Sequence, residues 1–121
     1  MNADVDLPDF DAVVAAAGRI NGRVLRTPVI SFERFNVRVG AQVFFKCENL
    51  QTGGSFKLRG ATNAVLQLDP ARTPVVVTHS SGNHGAAIAL AARARGMRAV
   101  IVMPRDSAAT KLAAVTAAGA E

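Results

Sequence analysis

The chain has 121 residues, half of them hydrophobic, a single cysteine and a formal net charge of +5. The length leaves room for one ordinary domain or parts of two, and the hydrophobic fraction argues against a disordered chain. One cysteine excludes an intrachain disulfide, and no apolar run is long enough to cross a bilayer. The basic residues are scattered and neither Tyr nor Trp is present to stack on bases, so neither nucleic-acid binding nor membrane insertion is expected.

The first residues of the chain are acidic rather than basic. Asp4, Asp6, Asp9 and Asp11 are the opposite of the basic start of a signal peptide, so a cytoplasmic protein is the default expectation. The elements predicted from apolar spacing are a loose tail over 1–7, a helix over 8–18, an amphipathic helix over 31–39 with Phe32 and Phe35 inward, and a buried strand over 41–47. Cys47 ends that strand and is expected to be a buried structural thiol.

The second half of the chain alternates strands and helices. The predicted elements are a strand over 74–78, a helix over 86–95, a strand over 98–103 and a helix over 108–118 that Ser107 can cap. This order is typical of parallel βα units, so the sequence predicts an α/β fold with ligands at the carboxyl ends of the strands. Gly119 ends the last helix where a further strand would be expected, which indicates a truncated chain.

A glycine-rich stretch over residues 51–61 carries the side chain with the most chemical potential. Its glycine pair permits positive φ angles, and Ser55 can cap a helix predicted over 56–68. Lys57 then lies in the first helical turn, near the positive end of the helix dipole and between apolar neighbours, a setting that favours a neutral, nucleophilic amine. An ordinary surface lysine in a glycine-rich turn is the alternative.

A second polar loop, residues 80–85, also follows a predicted strand. The free N–H groups of the next helix, together with Ser80, Ser81 and Asn83, form a receptor suited to an anion such as a carboxylate. Helix capping is the alternative, although capping needs one such side chain rather than several. Because the carboxyl ends of parallel strands meet at one sheet edge, this loop and the lysine loop are expected to converge on one ligand.

The two histidines do not form a metal-binding pattern. His79 and His84 are five residues apart with no carboxylate between them, which matches no zinc motif. A loop hydrogen bond is expected of His79 and a contact on the substrate side of His84. No metal site is therefore predicted in this chain.

Two segments, in this order, resemble the signatures of fold-type II pyridoxal-phosphate enzymes. Residues 46–51 and 54–61 resemble the cofactor-lysine motif of the serine/threonine dehydratase and serine racemase group, and residues 78–85 resemble the second signature of that group. The likeness runs over about 28–121 and covers only the N-terminal third or so of a full enzyme.

The resemblance implies a tryptophan synthase β-like fold divided between two domains. Residues 1–70 would belong to the large cofactor-binding domain and 74–121 would open the small domain, with the remainder of both absent. The phosphate-binding loop and the acidic ligands of a divalent cation in racemase-like members would lie beyond this chain. Gly53 departs from the pattern, since threonine is frequent there.

The resemblance also implies a role for each polar residue of the two loops. Lys57 would hold pyridoxal phosphate covalently and remove the substrate Cα proton, with Phe56 packed beside the cofactor and Asn83 hydrogen-bonded to the 3′ oxygen of its ring. The residues implied to surround the substrate carboxylate are Ser80, Ser81, Asn83 and His84. Ser81, on the face opposite Lys57, is a second acid or base, as in racemase-like members.

The activity that the resemblance implies is β-elimination of L-serine or L-threonine to a 2-oxo acid and ammonia, with serine racemisation as a second outcome. A homo-oligomer and a small amino-acid substrate are implied as partners. The alternative from another class is a non-catalytic fragment or interaction remnant. A β-replacement enzyme ranks lower because its lysine motif is usually Asn-rich, and a Rossmann-type nucleotide binder lacks its glycine fingerprint here.

Overall fold

The computed structural model describes residues 7–121, and the predicted acidic tail lies outside these residues except for Leu7. The elements in chain order are α1 (Phe10–Ile20), β1 (Val29–Ile30), α2 (Glu33–Val39), β2 (Phe45–Lys46), a 3₁₀ turn (Glu48–Leu50), α3 (Lys57–Leu66), β3 (Val75–His79), α4 (Asn83–Arg93), β4 (Arg98–Val102) and α5 (Ala109–Ala117). No helix within 7–121 is both long and apolar enough to span a bilayer.

The best-formed part of the fold is the unit β3–α4–β4, which confirms the predicted parallel βαβ arrangement. The two strands pair in parallel, with Val75 opposite Arg98 and His79 opposite Val102. Helix α4 is rich in alanine, so its backbone can approach both the strands and α3 closely. The buried core joins α3, α4, β4 and α5: Leu58, Ala61, Val65, Ala87, Ala89, Ala91, Ala92, Met97, Ala99, Ile101, Val115 and Ala118.

The last residue forms hydrogen bonds along the outer edge of β4. The Glu121 N–H donates to the Ala99 carbonyl at 2.9 Å, and the Ile101 N–H donates to the Glu121 carbonyl at 2.8 Å. The Glu121 carboxylate also accepts two hydrogen bonds from the Arg98 guanidinium, at 2.7 and 2.8 Å. Glu121 is therefore hydrogen-bonded to the edge of β4 opposite to β3, although it is not itself part of a strand.

The predicted buried strand over 41–47 is wrong in both length and environment. Only Phe45–Lys46 is a strand, and it pairs antiparallel with Val29–Ile30, which the sequence analysis did not predict as a strand. Phe44 is 61% exposed and Phe45 38% exposed, because the aromatic rings of α2 cover this two-residue ladder only in part. Cys47, expected to be buried, is only half-buried.

The predicted amphipathic helix α2 begins two residues later than expected and leaves its aromatic side chains partly in solvent. The rings of Phe32 and Phe35 contact the ring of Phe45, with centroids 6.0 and 5.4 Å apart, yet both remain exposed. The left-handed backbone of Gly40, with φ of 66°, ends the helix as predicted. The apolar spacing in the sequence correctly singled out Phe32 and Phe35 as the rings that make contacts, but it could not predict what fraction of each ring is exposed to solvent.

Helix caps differ from the sequence predictions at three positions. Helix α1 begins at Phe10, where the Asp9 carboxylate accepts from the Ala12 N–H at 2.8 Å, and it continues past residue 18. Ser55 does not cap α3, whose N-cap is Phe56, and Ser107 does not cap α5, whose N-cap is Ala108. Both serines lie one residue too early for the cap, a difference that propensity alone does not resolve.

Candidate active site

The lysine predicted to be reactive is the first residue of α3 and borders an open cavity. This cavity, of about 260 Å³, lies between α3 and the start of α4. Its lining residues are Phe56, Lys57, Gly60, Ala61, Ala64, His84 and Ile88. The Lys57 Nζ lies 5.1 Å from the centroid of the Phe56 ring, close enough for a cation–π contact. Lys57 and His84, one from each predicted loop, therefore meet in one place.

The two loops converge for a different reason from the one the sequence suggested. The lysine loop does not follow a strand of the β3–β4 sheet, because β2 pairs only with β1 in a separate antiparallel sheet. Instead α3 packs directly on α4, and each loop opens at the N-terminus of one of these helices. The prediction that the two loops meet at a shared sheet edge is thus wrong. They meet because α3 packs against α4.

The glycine pair before Lys57 shapes the lysine loop. Gly53 and Gly54 have φ angles of +78° and +71°, as predicted, and the Gly54 N–H closes the turn onto the Gln51 carbonyl at 2.7 Å. A Cβ at position 53 would lie 3.0 Å from the Leu90 side chain on α4. The left-handed backbone therefore favours glycine at position 53, and a side chain there would also require the Leu90 methyl group to move by a few tenths of an ångström.

An ion pair between Glu48 and Arg59, which was not predicted from the sequence, fixes the lysine loop to the segment before β1. The Arg59 guanidinium donates two hydrogen bonds to the Glu48 carboxylate, at 2.7 and 2.9 Å, and another to the Leu25 carbonyl at 2.9 Å. The Thr27 hydroxyl also donates to Glu48. This cluster joins the segment before β1 to α3, two residues beyond Lys57, and holds the first turn of α3 in place.

A buried glutamine makes a second attachment to the same segment. Gln51 accepts a hydrogen bond from the Leu25 N–H and donates one to the Leu25 carbonyl, both at 2.9 Å. Its amide oxygen also accepts from the Thr52 N–H at 3.1 Å. Leu25 and Gln51 are 26 residues apart, so local periodicity cannot reveal that they are hydrogen-bonded. The sequence signal for these attachments was the presence of Glu48, Gln51 and Arg59 within one motif.

We expect the Glu48–Arg59 pair to make stability depend on acid pH. Hydrogen bonds from Arg59 lower the pKa of the Glu48 carboxyl from 4.5 to about 2, and the side chains are only 16% and 29% exposed. A lowered folded-state pKa contributes stability above pH 4.5, which is lost as pH falls towards 2. Allowing for solvent screening, that contribution is about 2 kcal/mol.

Glu48→Gln is the variant that measures this contribution. Urea unfolding of the wild-type chain and the variant should differ by a constant free energy at neutral pH, and the difference should shrink as pH falls below 4.5. Asp69→Asn is a suitable control because Asp69 caps a turn of its own at the Ala71 N–H and belongs to no ion pair found in residues 7–121. A pH-independent effect of Glu48→Gln would contradict the assignment.

The polar side chains of the second loop have two kinds of environment: Ser80 forms hydrogen bonds within the loop, whereas Ser81 and Asn83 are exposed. The Ser80 hydroxyl accepts from the N–H groups of Gly82 and Gly85, at 3.2 and 3.1 Å, so it caps the first turn of α4. Ser81 and Asn83 are exposed and free to meet a ligand. Capping therefore accounts for Ser80, and the anion receptor stays a prediction for Ser81 and Asn83.

The two histidines have roles that differ from one another. The His84 Nε2 lies 3.2 Å from the Thr78 hydroxyl, and its ring borders the Lys57 cavity. His79 is exposed at the end of β3, so the hydrogen bond expected of His79 is found instead at His84. Among residues 7–121 no group of three potential metal ligands occurs.

A second lysine lies against the second loop. The Lys111 Nζ, on α5, is 4.0 Å from the place where a Cβ on Gly82 would stand. No role for Lys111 was predicted from the sequence, because nothing in the order of elements brings α5 to this loop. Its amine is the natural competitor of Lys57 for a carbonyl compound and must be distinguished from it in any labelling experiment.

The family described as "Pyridoxal-phosphate dependent enzyme" matches residues 20–121. This chain belongs to that family. It is 50% identical over 117 residues to the L-threo-3-hydroxyaspartate ammonia-lyase of a Pseudomonas species, covering 96% of this chain and 37% of the relative.

Solved structures of the family superpose closely on the fold. Maize serine racemase matches with a TM-score of 0.89 and 47% identity, over 93% of this chain and 35% of that one. A threonine deaminase from T.th. matches with a TM-score of 0.86 and 37% identity, over 94% and 36%. The predicted fold-type II resemblance is confirmed, and the chain spans little more than a third of the length of these relatives.

Enzymes of this pyridoxal-phosphate family use that cofactor, and the residues around Lys57 suit its ring. Gly60, Ala61 and Ala64 have small or no side chains, which leaves open space beside the lysine, and Phe56 and Ile88 supply apolar contact. A planar pyridine ring needs this combination of room, apolar surface and one amine that can attack its aldehyde. The described part of the chain therefore fits the reactive end of pyridoxal phosphate.

Proposed function

We propose that this chain supplies the lysine-bearing part of a pyridoxal-phosphate-dependent ammonia-lyase, which converts L-serine or L-threonine to a 2-oxo acid and ammonia. The observation that carries the proposal is the meeting of Lys57 and His84 in one cavity between α3 and α4. An amine that can bind a carbonyl cofactor and a loop that can bind a carboxylate are the two halves of an amino-acid site.

Each residue of the site has a defined task in this proposal. When bound, pyridoxal phosphate would supply the electron sink that makes the substrate Cα proton removable. The Lys57 amine takes that proton, and its place at the first turn of α3 keeps it at the cavity mouth. Asn83 and His84, the first two residues of α4, would orient the substrate, and Asn83 would also hold the cofactor ring. Ser80 contributes indirectly: its hydroxyl accepts hydrogen bonds from Gly82 and Gly85 and so fixes the loop that binds the substrate.

Ser81 makes racemisation the second reaction of the proposed site. Ser81 is exposed and adjacent to the loop glycine, so its hydroxyl is available to exchange a proton, on the face opposite Lys57 that the resemblance implies for it. With one base, loss of the β-hydroxyl leads to the 2-oxo acid; with two opposed bases, the proton returns on the other face. Relatives whose names are serine racemase and threonine deaminase support a site that performs either.

A non-catalytic role is the second candidate, and a specific observation favours it. Large apolar side chains on the open face of the sheet and near β2, including Val77, Val102 and Phe44, are exposed. This exposed apolar surface suits a chain that acts through binding rather than turnover. Domain membership for 1–70 and 74–121, a homo-oligomer and a cytoplasmic location stay predictions.

Ser81→Ala distinguishes the two reactions. With the chain, pyridoxal phosphate and L-serine, we expect D-serine formation to fall about 100-fold or more, because an acid–base group is lost. Pyruvate formation should change far less, since Lys57 remains. Chiral chromatography and a lactate dehydrogenase assay measure the two products. An equal fall in both would contradict the role of Ser81, and no product from the wild-type chain would favour the non-catalytic candidate.

A further inference from the structure

A hydrogen bond between the end of β3 and the start of α4 joins the cavity to the sheet. The Thr78 Oγ1 and the His84 Nε2 are 3.2 Å apart. Thr78 is the penultimate residue of β3 and lies opposite Ile101 in the parallel register. His84 is the second residue of α4 and borders the cavity that contains Lys57. The Thr78 hydroxyl is therefore in contact with a residue of the site while itself belonging to the sheet.

The close approach of α4 to the sheet creates this contact. A Cβ on Gly85 would lie 2.8 Å from the Ile101 side chain, so the first turn of α4 rests directly on the strand face that Thr78 shares. With its backbone held so near the sheet, α4 places the His84 ring beside Thr78. Among residues 7–121, Thr78 provides the one hydrogen bond found for that ring.

We propose that Thr78 is a positioning residue that holds His84 with its proton on Nδ1. A neutral imidazole has one nitrogen that donates and one that accepts. A substrate carboxylate only accepts, so His84 can bind it only through an N–H. The Thr78 hydroxyl lies 3.2 Å from Nε2 and can either donate to it or accept from it. In the proposed arrangement the hydroxyl donates, which leaves the Nδ1 proton for the carboxylate. The inference rests on the proposed function, in which His84 contacts the substrate carboxylate.

The chain is well suited to a direct measurement of this tautomer, because it contains only two histidines. Long-range ¹H–¹⁵N correlation spectra of the ¹⁵N-labelled chain report which ring nitrogen carries the proton. At about pH 8.5 an imidazole is ordinarily neutral. The exposed His79 serves as an internal reference and should show the Nε2–H form that an unconstrained histidine side chain prefers. We expect His84 to show the Nδ1–H form.

Two substitutions separate the hydroxyl from the shape of the side chain. Thr78→Ser keeps the hydroxyl and should keep the Nδ1–H form, whereas Thr78→Val keeps the shape and should shift His84 to the Nε2–H form. An Nε2–H form in the wild-type chain would overturn the inference, and so would an unchanged tautomer in folded Thr78→Val. If Thr78→Val does not fold, Thr78→Ala removes the same hydroxyl with a smaller side chain and should likewise shift His84 to the Nε2–H form.

The tautomer and the proposed lyase can fail separately. The spectra need neither cofactor nor substrate, so an Nδ1–H tautomer without covalent uptake at Lys57 would overturn the lyase and leave the role of Thr78 in place. Where turnover is measurable, Thr78→Val should raise KM for L-serine about tenfold through loss of an oriented donor to a charged group. Its effect on kcat should be smaller, and Thr78→Ser should restore KM. An unchanged KM would count against the positioning role.

Discussion

Lys57→Ala is expected to abolish covalent uptake of pyridoxal phosphate at this site. The Lys57 amine borders the α3–α4 cavity, and no other lysine among residues 7–121 lines it. Covalent attachment needs an amine within reach of the aldehyde, and alanine supplies none. We expect the absorbance of the bound cofactor to disappear, and turnover of L-serine to fall at least about 1000-fold, an order of magnitude suited to the loss of a group that both attaches the cofactor and moves the proton.

Lys111→Ala is the matched control for this experiment. Lys111 is also exposed and lies against the second loop, but it is absent from the lining of the Lys57 cavity. Neither substitution removes a buried side chain, so thermal unfolding should be nearly unchanged in both. Retained uptake in Lys57→Ala together with loss in Lys111→Ala would move the reactive amine from α3 to α5 and refute the site described above.

Gly85→Ala is expected to lower the stability of the fold, and with it the geometry of the site. The added Cβ would lie 2.8 Å from the Ile101 Cγ2 and 3.4 Å from the Ser80 Cβ, closer to Ile101 than real Cβ atoms come. Either α4 must move away from the sheet or Ile101 must leave its preferred rotamer, and overpacking of this kind costs about 1–3 kcal/mol. Ser80 would also lose its capping geometry at the Gly85 N–H.

Gly18→Ala separates this packing effect from helix propensity. Gly18 lies inside α1, and a Cβ there meets no atom within 4 Å. The substitution should stabilise the chain by about 0.5–1 kcal/mol through helix propensity alone. Urea unfolding of both variants gives the two free energies. A stabilising Gly85→Ala would show that α4 does not rest on Ile101 as described.

The sequence predicted the elements whose signals are local. Strands β3 and β4 are short β-branched or apolar runs, and α4 is an alanine-rich segment between turn residues, so their order alone gave a parallel unit. The left-handed glycines before Lys57 and the placement of that lysine in the first turn of α3 were also predictable, because each depends on neighbouring residues.

Features that depend on distant residues could not be predicted in the same way. The prediction that 41–47 is a buried strand was wrong because an apolar run does not show which elements pack against it. Strand β1 was not predicted because two residues are too few to show the alternation of a strand. The ion pair between Glu48 and Arg59 and the bond from Thr78 to His84 both cross between elements. Convergence of the two loops was predicted, but through a shared sheet rather than through the packing of α3 on α4.

The most direct test of the central claim is to identify the amine that captures pyridoxal phosphate. The chain is mixed with the cofactor, reduced with borohydride and digested, and the modified peptide is located by mass spectrometry. The candidates are few, since Lys46, Lys57 and Lys111 are the lysines of this sequence. Stoichiometric modification of Lys57 alone is the result we predict. Modification spread over all three lysines, or concentrated at Lys111, would contradict the assignment of the α3–α4 cavity as the cofactor site.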